Sequence, residues 1–543
     1  MPEKELPIRP NLEQYKKQAK DLVRDCVAGV RDALVRVRRH HPRFAAATEP
    51  TRSVALTDAQ LVIAREHGFD SWPKFAAHIT TLNLERSVAA LEEPINAFLR
   101  AALAPRDNSH SSGTLEEAEL ILARYPQVAK ANIHTAAVLA DEAGVRAFLA
   151  RDKANATIKG GPYEWDALTH LCFSRYLRID GERSDGFVRT ARAILDGGAS
   201  ANTGWYEMID YPNPRPVLES AIYGAAGVAH HEGVTRLLLE YGADPNDEET
   251  PYHAVENYDL GTVTALLESG KLNSTSMSTL LLRKADWHDT EGIRLVLAHG
   301  ADPNARTIWD NSALHHALRR DNQLANILLM LDHGGDPSVR NREGQSATEI
   351  AAHRGRGDVL RLLSERGIEW QLQGVDRLIA ACATADDTAI QELTAQEPDL
   401  VANLVAQGGM LLAEFAANGN TEGVRRLLDL GVNVGALFLH GDGYWDLAQN
   451  TTALHAAAWR MWPDTVKLLI ERGAPVNARD GKGRTALLLA VKACVDSYWK
   501  RRRTPESVEA LLKAGATIDG IAIPCGYDEV DELLVMAKKA EGG

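Results

Sequence analysis

Apolar residues in this chain come in short dense runs, each followed by a polar stretch rich in Gly, Asp, Pro and Asn. Residues 237–246 read Leu-Leu-Leu-Glu-Tyr-Gly-Ala-Asp-Pro-Asn, and close copies stand at 296–304, 330–338 and 468–477. From Gly300 to Gly334 is 34 positions and from Gly334 to Gly367 is 33. That period predicts a β-turn followed by two antiparallel helices, repeated many times, and not a propeller or a leucine-rich horseshoe. The best-formed unit lies near the C-terminus. Residues 452–458, Thr-Ala-Leu-His-Ala-Ala-Ala, open its first helix, and 464–472 make the second with Val466, Leu468, Leu469 and Ile470 inward. Gly473 then supplies the positive φ that ends the helix.

Residues 1–85 follow a different pattern. An amphipathic stretch runs from Asn11 to Cys26 and another through 33–39. Thr57-Asp58-Ala59-Gln60 reads as a capping box opening a helix through Glu66, which Gly68 ends. Asp70 or Ser71 then caps a helix whose Trp72 and Phe75 point inward. Past 525, residues 528–539 predict a short helix sealing the last apolar layer.

The tetrapeptides Thr250-Pro251-Tyr252-His253, Ser312-Ala313-Leu314-His315 and Thr452-Ala453-Leu454-His455, and more weakly Ala167-Leu168-Thr169-His170, resemble the Thr-Pro-Leu-His signature of ankyrin repeats. Residues 9–13 and 17–22, with 58–60 and 70–73, resemble the short helical leader attached to many bacterial ankyrin-repeat proteins. The resemblance implies an all-α fold, an ankyrin-repeat α-solenoid preceded by a small helical domain. Its parts are a leader over 1–85, about twelve partly degenerate repeats over 95–524 and a capping helix over 525–543. Residues 371–405 keep helical periodicity but lose the signature. In the family that histidine bonds the hydroxyl and backbone at the helix start, so His170, His253, His315 and His455 are expected to be structural.

Charge narrows the partner. Lys plus Arg total 60 against 74 for Asp plus Glu, a net −14, which repels phosphate backbones and anionic lipid. A protein partner of basic or neutral surface is expected, and neither nucleic acid nor membrane. The one basic run, Lys500-Arg501-Arg502-Arg503, reads as a solvated loop. The five cysteines show no Cys-x-x-Cys spacing and the glycine-rich turns lack the Lys-Ser/Thr of a phosphate loop, so no metal or cofactor is called. Without a signal-like or bilayer-length apolar segment, the expected location is cytoplasmic.

Candidate binding residues come from the turn tips, where large aromatics replace small residues. Tyr163 and Trp165 precede one first helix, Trp205, Tyr206 and Tyr211 lie in an extended tip, and Trp309 with Asp310 in an ordinary one. Tyr444, Trp445 and Asp446 sit in a second extended tip from Gly435 to Asn450, and Trp459 and Trp462 end the next first helix. Aromatics flanked by Asp suit partner or ligand recognition, although long tips also need aromatic anchors to fold back. Strong curvature would draw the two extended tips toward one cavity. The leading reading is binding without turnover, through a concave groove. The alternative is a small-molecule receptor or enzyme walled by Trp165, Trp205, Trp309, Trp445 and Trp459, with acid–base chemistry from Asp166, Glu207, Asp210, Asp310, Asp442 or Asp446 and His440.

Overall fold

A pair of helices, one buried almost all round and one amphipathic, is the element from which this chain is built. A computed structural model describes residues 4–7, 9–45, 54–105, 112–210, 213–307, 309–498 and 502–541. The chain divides into two units, residues 1–254 with 261–269 and residues 255–260 with 270–543.

In the first unit, helices Leu12–Val27, Arg31–His40, Leu56–Glu66 and Trp72–Ala89 share a core of Tyr15, Leu22, Cys26, Val37, Ile63, Phe75 and Ile79. Asn11 caps the first helix, accepting from Glu13 N, and Ser71 caps the fourth. The third starts two residues earlier than the motif suggested, because Asp58 Oδ2 accepts from Ala55 N at 2.9 Å and Ala55 takes the cap position in place of Thr57. Helix pairs follow, including Ile133–Val138 with Glu142–Arg151 and Ala167–Cys172 with Ser184–Asp196. The inner members are wholly buried and short; the outer ones carry one apolar stripe. One element departs from the all-helical expectation. Residues 204–220 form an antiparallel hairpin, β1 (Gly204–Ile209) and β2 (Arg215–Ser220), pairing Trp205 with Glu219, Tyr206 with Leu218 and Met208 with Pro216.

The second unit stacks Ser274–Asp286 with Thr290–Ala298, Ala313–Arg319 with Leu324–Asp332 and Ala347–His353 with Gly357–Glu365. Through the region without the signature it continues as Val375–Thr384 and Asp387–Gln396, then inserts one more helix, Asp399–Ala406, before Gly408–Ala417 and Thr421–Asp429. Ala453–Trp459 with Pro463–Glu471, Ala486–Val495 with Glu506–Lys513, and Asp528–Glu541 complete it. The second extended tip is tied by a short ladder, β3 (Leu437–Phe438) with β4 (Thr451–Thr452). Among the described residues no single helix is long and apolar enough to cross a membrane.

Tip residues explain two recurring letters of the repeat. The asparagine of the polar stretch bridges to the next repeat: Asn304 Nδ2 donates to Gly334 O and its Oδ1 accepts from Asp336 N, and Asn202 and Asn477 do the same with Gly242 and Asp244, and with Gly515 and Thr517. In two of the four tetrapeptides the histidine binds both its own cap and the following tip, whereas His170 Nδ1 meets Asp166 O at 2.9 Å and His253 Nε2 meets Glu249 at 3.2 Å. His315 Nδ1 meets Ser312 Oγ at 2.6 Å while Nε2 meets Gln345 O at 3.1 Å, and His455 bridges Thr452 Oγ1 and Arg484 O.

Backbones approach closely at Gly357, where a Cβ would stand 1.9 Å from Ala383 O. That carbonyl cannot yield without moving its helix. Gly357→Ala is therefore expected to cost about 1–3 kcal/mol, read as a lower guanidinium midpoint at an unchanged slope.

Candidate functional site

In the second unit the turn from inner to outer helix repeats one conformation. One or two residues past the inner helix the backbone takes positive φ, at His288, Asp321, Gly355, Ala385, Gly419 and Met461, four of them not glycine. These ends present unpaired carbonyls and the negative pole of each helix. They gather charged side chains far apart in sequence. Asp321 accepts from Arg354 Nε and Nη2 at 2.6 and 2.7 Å, from Asn418 Nδ2 at 3.0 Å and from Arg460 Nη1 at 2.9 Å, the last partner 139 residues away. Arg354 also reaches Glu414 at 3.1 Å. Burial alone would raise the Asp321 carboxyl, but Arg354 and Arg460 outweigh it and hold it well below the usual range. Glu414 goes the other way, pushed up to about 7 by burial, with Asp321 and Asp442 opposing Arg354.

A neighbouring knot centres on Asp286, which meets His316 Nε2 at 2.5 Å, Arg283 Nη1 at 2.5 Å and Arg320 Nε at 2.9 Å. The second extended tip closes over both knots. Tyr444 donates its hydroxyl to Asp286 O at 2.9 Å beneath the Arg320 guanidinium, Trp445 lies 4.2 Å from Arg460, and Asp446 takes Lys482, Arg484 and Lys492. Trp445 and Trp459 are buried, joined by Trp459 Nε1 donating to Trp445 O at 2.6 Å, and Trp462 Nε1 donates to Ala417 O at 2.7 Å. Thus Tyr444, Trp445, Asp446 and Trp459 come together as the anchor of a tip folded onto its own array, while Trp462 packs beside Gly419. In the tip of ordinary length, Trp309 N donates to Thr307 Oγ1 and Asp310 accepts from Arg306. Of the basic run, Arg502 is no solvated loop residue: it lies 4.2 Å over Trp462, and burial and Arg460 lower it to about 10, while Lys500 and Arg501 lie outside the described residues.

The first unit holds a different arrangement. Trp205 stacks on Trp165 at 4.1 Å with an interplanar angle of 17°, and Phe173 abuts Trp205 edge-on at 4.5 Å. Asp166 caps the helix behind them, accepting from Thr169 N at 2.9 Å and from Thr203. Strand alternation divides the hairpin. Trp205, Glu207, Val217 and Glu219 lie on one face; Tyr206, Met208, Pro216 and Leu218 lie on the other. The second face is open to solvent, with Tyr206 70% and Met208 63% exposed. On the first, Glu219 is buried and pushed up to about 8, by burial foremost and then by the carboxyls of Glu249 and Glu207. Glu249 contacts His253 at 3.2 Å, and Trp205 Nε1 donates to Glu207 at 3.4 Å. Asp247, pushed up to about 6 by burial, caps the next helix through Thr250 N at 2.7 Å.

Of the candidate residues, then, Tyr163, Trp165, Asp166, Trp205, Tyr206, Glu207 and Asp210 belong to the first unit, Tyr211 lies outside the described residues, and the others belong to the second unit. The two extended tips fall in different units. Glu219, Asp286, Asp321, Arg354, Arg460 and Asn418 were not singled out from sequence. For the last five the available signal was a charged or amide residue at each inner helix end; for Glu219 it was the period-two alternation of 204–209 and 215–220 around Pro212 and Pro214.

Comparison with known proteins accords with this architecture. The family model "Ankyrin repeats" matches residues 281–374, 378–480 and 416–521. These segments are ankyrin repeats. The ankyrin fold, mostly helical, accounts for the tip, inner-helix and outer-helix order described above. Among curated proteins, serine/threonine-protein kinase 12 of Arabidopsis thaliana is 34% identical over 84 residues, which are 16% of this chain and 16% of that protein's length. Two crystal structures are similar in part. The human ASB11 ankyrin repeat domain is 22% identical with a TM-score of 0.20, covering 44% of this chain and 98% of that one. The Bcl-3 ankyrin repeat domain, from a member of the IkappaB family, is 20% identical with a TM-score of 0.20, covering 42% and 96%. Ankyrin repeats in general mediate protein–protein interaction.

Proposed function

We propose that this ankyrin-repeat protein binds a protein partner of basic or neutral surface, and that the outward face of the β1–β2 hairpin is its principal contact. One observation carries the reading: Tyr206 and Met208 stand largely in water beside Pro216 and Leu218, four apolar side chains side by side on a projecting insertion. Exposed apolar groups are favourable to bury, and clusters of them on a projecting element mark interaction surfaces. The hairpin is held rigid by the Trp165–Trp205 stack, so little conformational freedom is lost on binding.

Charge selects the partner. Residues 204–250 contain nine carboxylates and two arginines, both already engaged, Arg215 by Glu248 and Arg236 by Glu232 and Glu268. A partner presenting an apolar patch ringed by lysine or arginine complements that field, and its association is expected to slow as salt rises. By contrast, the aromatics of the second extended tip are occupied with each other and with Arg320 and Arg460, which suits a structural role.

Photo-crosslinking from position 206 in the full chain is expected to trap this protein partner. A Tyr206→Ser/Met208→Ser double variant should then bind the purified partner at least about tenfold more weakly, because central interface aromatics commonly carry about 2 kcal/mol each. Equal affinity of the double variant and the parent chain would overturn the reading.

A further inference from the structure

We infer that the free edge of β1 is a strand-docking site, where an extended, positively charged segment of the partner protein adds to the hairpin as a third strand beside Tyr206 and Met208. This deepens the proposed function, on which it rests, by naming the conformation and charge in which the partner is recognised.

Hydrogen-bond parity locates the edge. Ala221 N donates to Thr203 O at 2.8 Å, and the register continues from there as Gly204 with Ser220 and Trp205 with Glu219. Bonded and non-bonded pairs alternate along an antiparallel ladder, so the odd-numbered residues of β1 bond to β2, while Tyr206 and Met208 turn their N–H and C=O groups away from it. Pro216 agrees with that parity: it faces Met208, and a proline fits a strand only where no ladder donor is required. Among the described residues, the main-chain groups of Tyr206 and Met208 meet no other donor or acceptor, and no strand besides β2 pairs with β1.

The two edges of the hairpin differ. On the β2 side, Ser220 Oγ donates to Asp247 and Arg215 pairs with Glu248, both in the following tip, and Pro216 removes a donor. Proteins blunt strand edges in such ways because an open edge recruits another chain. β1 runs for six residues without a proline or a break in register, and Tyr206 and Met208 on it are exposed.

Charge decides the occupant. A second copy would bring Glu207 and Asp210 of one β1 against the same residues of the other, and like charges on paired strands repel. A partner segment carrying lysine or arginine complements them instead. Its main chain supplies the hydrogen bonds that Tyr206 and Met208 lack, and its alternate apolar residues extend the row formed by Tyr206, Met208, Pro216 and Leu218.

Main-chain pairing gives the test. A blocked octapeptide alternating lysine with valine, a copy N-methylated at every residue and a copy with glutamate in place of lysine are titrated into the full chain. The lysine peptide should bind at least about tenfold more tightly than either copy, since the first copy keeps the side chains but offers no N–H and the second reverses the charge. With tyrosine and methionine labelled with nitrogen-15, amide exchange at Tyr206 and Met208 should slow at least about tenfold when the lysine peptide saturates the chain. Met208→Pro removes an N–H that the ladder does not use and should weaken the peptide at least about fivefold, whereas Met208→Val keeps that N–H and should match the parent. Equal binding of the lysine and N-methylated peptides, or Tyr206 and Met208 amides that exchange as in the free chain, would overturn the docking edge. So would dimerisation of the full chain that Met208→Pro abolishes, which would hand the edge to a second copy. The two ideas fail separately with the purified partner: if Tyr206→Ser/Met208→Ser loses it while Met208→Pro retains it fully, the docking edge falls and the outward-face reading stands, and if the double variant retains it the outward-face reading falls.

Discussion

Asp321→Ala is expected to destabilise the unit spanning 270–543 by about 3–5 kcal/mol, the loss seen when one member of a buried ionic network is removed and its partners are stranded. The side chain is 1% exposed and its removal leaves the Arg354 and Arg460 guanidinia, 11% and 2% exposed, without their shared counterion. Size has little to do with it: the deleted group is small, and the cost is that of two buried positive charges. A repeat array normally joins each repeat only to its neighbours, whereas Asp321 links positions as far apart as Asn418 and Arg460. Hydrogen exchange should therefore rise at both inner helices, Ala313–Arg319 and Ala453–Trp459, in the same variant. Replacing Asp321, Arg354 and Arg460 together with Leu and Met should recover part of the loss, because no guanidinium is then stranded and Glu414, deprived of Arg354, takes up its proton. Guanidinium unfolding of the single and triple variants measures both, and a single-variant loss below about 1 kcal/mol would show the network to be energetically idle.

The opposite sign is expected at Glu219. Its folded carboxyl is raised from 4.5 to about 8, so the folded chain holds a proton that the unfolded chain has lost. Stability from this group is thus fully present below about pH 4.5 and falls as pH climbs through 8. Allowing for the group's partial contact with solvent, the loss amounts to roughly 2–3 kcal/mol. Glu219→Gln cannot ionise. Its stability relative to the parent should rise with pH across that window, and the difference cancels the other titrating groups, including His288, which burial lowers to about 4. Urea unfolding of both chains at pH 5, 6.5 and 8 supplies the comparison; a difference that is flat, or that shrinks with pH, would contradict the assignment.

The repeat was plain in the sequence because it is local. A glycine after many outer helices, a His near the start of several inner helices and an apolar run between them act within one or two turns, and Gly300 and His315 behave as those rules dictate. Residues 204–220 were legible only in part. Their aromatics stood out, but the change from a period of 3.6 to a period of two was obscured among turn residues, and so Glu219 passed unremarked.

What the sequence by itself determined is the stacking unit, its period and the roles of its helix-ending glycines and cap-binding histidines, since each follows from the conformation of a few adjacent residues. What only the tertiary structure decided is which side chains meet across many repeats. Asp321 with Arg460, Tyr444 with the Asp286 carbonyl, and Trp205 on Trp165 are contacts made by the accumulated turn of successive repeats and by the folding back of long tips. Small rotations per repeat add up over the array, and no short window of sequence carries their sum.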